Sequence, residues 1–106
     1  MKILSRSEEI VLLTVWKLQD AAYGVEIRKQ VSRATGHDWS IGAIYAPLHR
    51  LEKKKLVRSF MGEPVAERGG RSKVYYTVTP EGKNALIETR QIHETIWRDI
   101  PDLGMS

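Results

Sequence analysis

Residues 67–82 read ERGGRSKVYYTVTPEG. Two glycines lie between Arg68 and Arg71, and the segment after them alternates at Val74, Tyr76 and Val78 with the period of a strand. Upstream, LVRSFM over residues 56–61 has the same strand-like character. The two runs predict a hairpin whose long tip, Gly62 to Ser72, is polar, glycine-containing and positively charged. Downstream, Thr79 as a cap and Pro80 in the first helical position open a last helix. It carries Ala85, Leu86, Ile92, Ile96 and Trp97, and Pro101 and Gly104 are expected to end it.

Working back from the hairpin, three more helices precede it. Ser5 with Glu8 three residues on has the form of a capping box, and Ile10, Leu13, Val15, Trp16 and Leu18 follow at roughly helical spacing, predicting a helix over Ser7 to Leu18. After QDAAYG, Val25, Ile27 and Val31 form the apolar face of a second helix that Gly36 stops. Ser40 caps a third, in which Ile41, Ile44, Leu48 and Leu51 make one buried stripe. Its other faces carry Gly42, Ala43 and Ala46, then His49, Arg50 and Lys53, small residues first and basic residues later. Pro47 removes one backbone hydrogen bond, so this helix is expected to bend there or to begin later.

Three helices, a two-stranded wing and a further helix give a mainly α fold with a two-stranded β wing, a winged helix-turn-helix plus a C-terminal helix. Residues 1–79 are assigned to the DNA-binding part and 80–106 to the C-terminal helix, packed within the same single domain. A chain of 106 residues has room for one core and one principal surface.

Charge indicates what that surface meets. From Arg50 to Lys73 there are eight basic residues against three acidic ones, a balance of +5, while the rest of the chain sums to −1. A local positive field favours polyanions, of which nucleic acid is the commonest, although a solvated basic helix end has the same composition. The chain has no cysteine, which removes disulfides, thiolate metal sites and cysteine nucleophiles. His37, His49 and His93 lack metal-ligand spacing, and there is no HExxH, nucleophile elbow or P-loop, so neither an enzyme nor a cofactor or metal site is expected. The start MKILSRSEE is not a signal peptide, and no apolar run approaches the ~20 residues of a membrane span, which points to the cytoplasm and to no membrane partner.

The stretches GAIYAPLHRLEKKKLV (residues 42–57) and GEPVAERGGRSKVYYTVTPEG (residues 62–82) resemble the PadR family of bacterial transcriptional regulators. Tyr23, Gly24 and Val25 match its second-helix start. Gly42, Ala43, Ile44, Tyr45, Leu48, Leu51 and Glu52 match its third helix, and Arg68, Gly70, Arg71, Lys73, Tyr75, Tyr76 and Thr79 to Gly82 match its wing. The resemblance runs from about Ser7 to Leu86. Two departures stand out: Lys55 occupies a place where members often have glycine, and Pro47 lies inside the third helix.

The resemblance implies a homodimeric repressor bound to a double-stranded DNA operator of two-fold character. In many members a small molecule or stress signal releases the DNA. It also implies dimerisation through the last helix, here Lys83 to Ile100, with Leu86, Ile92, His93, Ile96 and Trp97 as the contact residues. The DNA-binding set is then Tyr23, Gly24, Ser40, Gly42, Ala43, Tyr45, Ala46, His49, Arg50, Lys53, Arg68, Gly70, Arg71 and Lys73, with Lys54 as additional generic charge.

Several of these residues also fit plainer roles. The small residues of the third helix would let it pack on the second, and Tyr45 would serve as a core tyrosine with its hydroxyl satisfied. Trp16 and Trp97 are candidates to line a dimer cavity for a small aromatic or cationic effector, as the resemblance to drug-sensing short members suggests, or to be plain interface core. Two alternatives to a repressor share the same charge: a winged-helix protein-interaction module, and a nonspecific nucleic-acid-binding protein. Sequence preference and dimer stoichiometry separate them.

Overall fold

The computed structural model describes residues 3–64 and 72–104. The elements run α1 (Arg6–Leu18), a 3-10 turn (Gln19–Ala21), α2 (Gly24–Thr35), α3 (Ile41–Lys53), β1 (Val57–Pro64), β2 (Ser72–Val78) and α4 (Pro80–Trp97). The order is that of a winged helix with one added helix.

The helix starts follow the caps in the sequence. Ser5 Oγ accepts from the Glu8 N–H at 3.2 Å while the Glu8 carboxylate accepts from the Ser5 N–H at 2.8 Å, completing the capping box, and α1 starts at Arg6, one residue before the expected Ser7. Ser40 Oγ accepts from the Ala43 N–H, and Thr79 Oγ1 accepts from the Gly82 N–H with Pro80 in the first position. Gly36 ends α2 in the left-handed conformation at φ 73°.

The core forms where the three helices meet the hairpin. Val11, Leu12 and Val15 of α1, Ile27 and Val31 of α2, Ile44, Leu48 and Leu51 of α3, and Val57, Tyr76 and Val78 of the strands form one buried cluster. Each fully buried aliphatic side chain there contributes on the order of 1.5–3 kcal/mol.

Three expected faces are rotated or trimmed. In α1 the buried residues are Val11, Leu12 and Val15, whereas Leu13 and Trp16 are exposed. IVLLTVW is apolar on nearly every side, so spacing alone does not pick the inward one. Val25 and Ile41 are also exposed, because each lies in the first turn of its helix, outside the layer that the next turns bury.

α3 runs as one helix from Ile41 to Lys53 through the buried Pro47, so it does not begin later than the Ser40 cap. The strands pair antiparallel with Val57 opposite Val78 and Phe60 opposite Tyr75, and a register shift lies between Met61 and Pro64. They are longer than expected: β1 reaches Pro64 and β2 starts at Ser72, inside the stretch assigned to the tip.

α4 ends at Trp97, before the expected stop at Pro101. Arg98 is extended at ψ 135° and Asp99 is left-handed at φ 61°. Pro101 disfavours helical backbone at Ile100, and aspartate tolerates the left-handed region, so RDIP closes the helix ahead of the proline. From Glu94 through Gly104 every residue is exposed.

Candidate nucleic-acid interface

On α3 the inward stripe of Ile44, Leu48 and Leu51 leaves an outward one. Ser40, Gly42, Ala43, Ala46, His49, Arg50 and Lys53 are all exposed. Steps of three and four residues align Gly42 or Ala43 with Ala46, then His49 or Arg50, then Lys53, on one side of the helix. A helix whose outward stripe carries only small side chains in its first two turns can lie close to the floor of a major groove, where base edges come within reach of its backbone and of a few side chains.

The start of α2 adjoins this surface. Tyr23 is its extended cap residue and its side chain makes no capping hydrogen bond, so the first-turn amides are left to other partners. Gly24 is buried under Tyr45 of α3: a Cβ on Gly24 would overlap the Tyr45 hydroxyl oxygen and lie 3.0 Å from Cζ. The glycine therefore lets the Tyr45 hydroxyl sit beside the first turn of α2. Tyr45 is half-buried, packed against the core with its hydroxyl beside Gly24.

The turn between α2 and α3 is held by a residue without a role in the sequence expectations. Trp39 donates its backbone N–H to Ser32 Oγ and its indole N–H to Thr35 Oγ1, both at 3.0 Å, while its carbonyl accepts from Arg28 Nε at 2.8 Å. These bonds set the approach of α3 to α2. The sequence signal for them is a lone tryptophan among turn residues.

The wing adds the third wall. Lys73 is exposed, and its ammonium lies 4.1 Å from the centroid of the Tyr23 ring. Tyr23, Gly24, Tyr45 and Lys73 are thus drawn from three segments to one junction. Arg68, Gly70 and Arg71 lie outside the described residues.

Two of the basic residues at the end of α3 also make contacts with α1. Lys54 Nζ is 2.7 Å from Glu8 Oε2, and Arg50 Nε is 3.4 Å from the same oxygen with its Nη2 near Ser7 Oγ. Burial pushes the Glu8 carboxyl up, but the Lys54 and Ser5 hydrogen bonds and the Lys54 charge outweigh it and hold the group below its ordinary value. Lys54 and Arg50 therefore tie α3 to α1. Lys53 is exposed and enters no ion pair among the described residues. Burial, with Tyr45 and Glu52 nearby, raises the Tyr76 phenol above its ordinary value and keeps it neutral beneath the wing.

In α4, Leu86 packs on this chain's own core, and His93 meets both Glu9 carboxylate oxygens, at 2.9 and 3.1 Å. Ile92 lines a groove of about 360 Å³ between α1 and α4 together with Ile3, Leu4 and Ile96. Ile96 and Trp97 are 61% and 62% exposed. Trp16 borders a different groove, beside Asp20, Arg58 and Phe60, whose walls do not include Trp97.

A family model, the transcriptional regulator PadR-like family, matches residues 12–88. The chain belongs to the PadR-like family of transcriptional regulators. A PadR family regulator from Clostridium difficile R20291 is 30% identical, with a TM-score of 0.66 over 84% of this chain and 88% of its own. A PadR-like regulator from Bacillus cereus is 26% identical, with a TM-score of 0.68 over 84% and 82%. BpsR of Bordetella bronchiseptica, whose DNA binding is regulated by 6-hydroxynicotinic acid, is 24% identical, with a TM-score of 0.63 over 88% of this chain and 61% of its own. No curated protein matches the sequence.

Membership makes this PadR-like chain a DNA-binding transcription regulator and not an enzyme. No described helix is long and apolar enough to cross a membrane. The winged-helix order, with a helix added after the wing, agrees with the family and with the expectation from sequence.

Proposed function

We propose that this PadR-like regulator is a cytoplasmic homodimeric repressor that binds an operator of two-fold symmetry and is released from it by a small aromatic or cationic effector. The exposed outward stripe of α3, small at its start and basic at its end, carries this reading. In each protomer that stripe enters a major groove, with Gly42, Ala43, Ala46 and His49 toward base edges. Tyr23, Gly24, Tyr45 and Lys73 meet the phosphates beside it, and Lys53 adds charge. Arg68 and Arg71 at the wing tip reach the adjacent backbone or minor groove.

The dimer uses α4. Its last turn is apolar and exposed at Ile96 and Trp97, and the groove containing Ile3, Leu4 and Ile92 runs beside it. A helix of 18 residues is about 27 Å long, more than one small core covers. A second copy laid against this face would bury it by an isologous contact and set two α3 helices at a fixed spacing. The effector site is assigned to the dimer interface, where Trp97 of one copy approaches Trp16 of the other. Regulation of BpsR by a small aromatic acid supports this choice of ligand class.

Selection of bound duplexes from a random pool tests the proposal. An inverted repeat is expected, with half-sites about one helical turn, ~34–36 Å, apart. Recovery of single half-sites would remove the dimer, and recovery of no consensus would remove operator recognition. Titrating the protein with aromatic and cationic compounds should change tryptophan fluorescence; an unchanged signal across the panel would remove the effector site.

A further inference from the structure

The outer face of the wing, turned away from the core, carries an aromatic stack. Tyr75 stands opposite Phe60 across the hairpin, their rings stacked at 5.8 Å and 20°. The Tyr23 ring meets Tyr75 edge-on at 5.3 Å and 65°. Gly62 lies under the same ring, where a Cβ would overlap Cε1 and Cδ1 of Tyr75. Tyr75 is therefore enclosed by β1 on one side and by the residue that begins α2 on another.

The backbone repeats this link. Tyr23 forms an isolated antiparallel bridge with Tyr75, and the Tyr76 N–H donates to the Ala22 carbonyl at 2.8 Å. Ala22 and Tyr23 act as a short third strand along β2, directly before α2. A two-stranded ribbon on its own twists and bends freely, so its angle to the helices depends on what fastens its base.

We propose that Tyr75 is a positioning residue that locks the wing at one angle to α2 and α3, through its ring and not its hydroxyl, so that Lys73 and the wing meet the same duplex as α3. The proposal rests on the DNA-binding role of the family and adds how this chain presents wing and helix as one surface. Gly62 leaves the room that the lock needs. The Lys73 ammonium over Tyr23 is held in place by the same stack.

Two measurements test it, and the first needs no DNA. The native chain has no cysteine. Cysteines introduced for Met61 in the wing and Arg33 in α2, both exposed, can carry spin labels whose separation reports the wing angle. A narrow distance distribution is expected for Tyr75 and for Tyr75→Phe, and a broad one for Tyr75→Ala. An equally narrow distribution in Tyr75→Ala overturns the lock.

The second measurement is the affinity of the unlabelled protein for a bound duplex as a function of salt. Tyr75→Phe should match the native protein. Tyr75→Ala should bind about tenfold more weakly with a shallower salt dependence, the range expected for losing one aromatic packing contact and the phosphate contact it aligns. Gly62→Ala should move in the same direction by displacing the ring. If Tyr75→Phe is as weak as Tyr75→Ala, the hydroxyl touches DNA directly and the positioning role fails. If the native protein binds no duplex, the DNA-binding role fails with it, an outcome distinguishable from failure of the lock by the spin-label distances.

Discussion

Lys54 Nζ stands 2.7 Å from Glu8 Oε2, joining the end of α3 to the first turn of α1. Glu8 is the one charged side chain buried among the described residues, 2% exposed, and it also completes the capping box with Ser5. One carboxylate thus starts α1 and anchors the end of α3.

Replacing Glu8 with Gln removes the charge while keeping the shape. A loss of about 1–3 kcal/mol at neutral pH is expected, the range for a charge-assisted hydrogen bond with a partly exposed partner. Because the folded carboxyl lies below its ordinary value, its contribution is complete above that ordinary value and fades as pH falls through the folded one. Urea unfolding from neutral pH down to about pH 3 should therefore show a shallower acid decline in Glu8→Gln. An unchanged acid decline would contradict the assignment.

Lys55 adopts φ 63° just after α3, while its N–H donates to the Glu52 carbonyl and the Leu56 N–H to the Leu51 carbonyl, both at 2.9 Å. This is the Schellman closure, in which glycine is the usual left-handed residue. Lys55→Gly removes the Cβ penalty and adds unfolded-state entropy, for a net gain of roughly 0.5–1 kcal/mol. A higher denaturant midpoint at unchanged slope checks it; a lower midpoint would contradict it.

Ala46 is exposed in the middle of the outward α3 stripe. Ala46→Glu should leave stability within about 0.5 kcal/mol, as for other surface changes, yet weaken DNA binding about a hundredfold or more by setting a carboxylate against phosphate and base acceptors. Filter binding with a parallel thermal melt separates the two effects. Native affinity in this variant would move the DNA surface off α3.

Ile96→Asp places a charge on the exposed apolar end of α4. Sedimentation equilibrium should show a dimer for the native chain and a monomer for the variant, with the helical circular dichroism signal retained. A dimer that survives would place the interface elsewhere.

Local rules explain what was legible in the sequence. Ser5 with Glu8, Ser40, Gly36, and Thr79 with Pro80 each act within four residues of their partners, and the caps appear where their chemistry puts them. The alternation of Val74, Tyr76 and Val78 likewise marked β2. The element order and the family motifs then left little freedom for the fold.

What was hidden depends on contacts distant in sequence. The pairing of Arg50 and Lys54 with Glu8, in the first turn of α1, joins residues more than forty positions apart, and no local spacing reports it. The junction of Tyr23, Phe60 and Tyr75 joins three segments, and no periodicity reports such a meeting. The inward face of α1 was ambiguous because Leu12 and Leu13 are chemically equal and only the neighbouring helices distinguish them. Pro47 was expected to bend α3 or to delay its start because its missing N–H is visible in the sequence; the helix starts at Ile41 and runs through it.

Binding of the purified protein to the DNA upstream of its own gene, compared with a scrambled duplex at two salt concentrations, tests sequence-specific regulation most directly. A preference of about a thousandfold for the upstream duplex, with two protomers per site, is the result expected. Equal binding to both duplexes, falling steeply with salt, would contradict it and leave a protein that reads only the charge of the backbone.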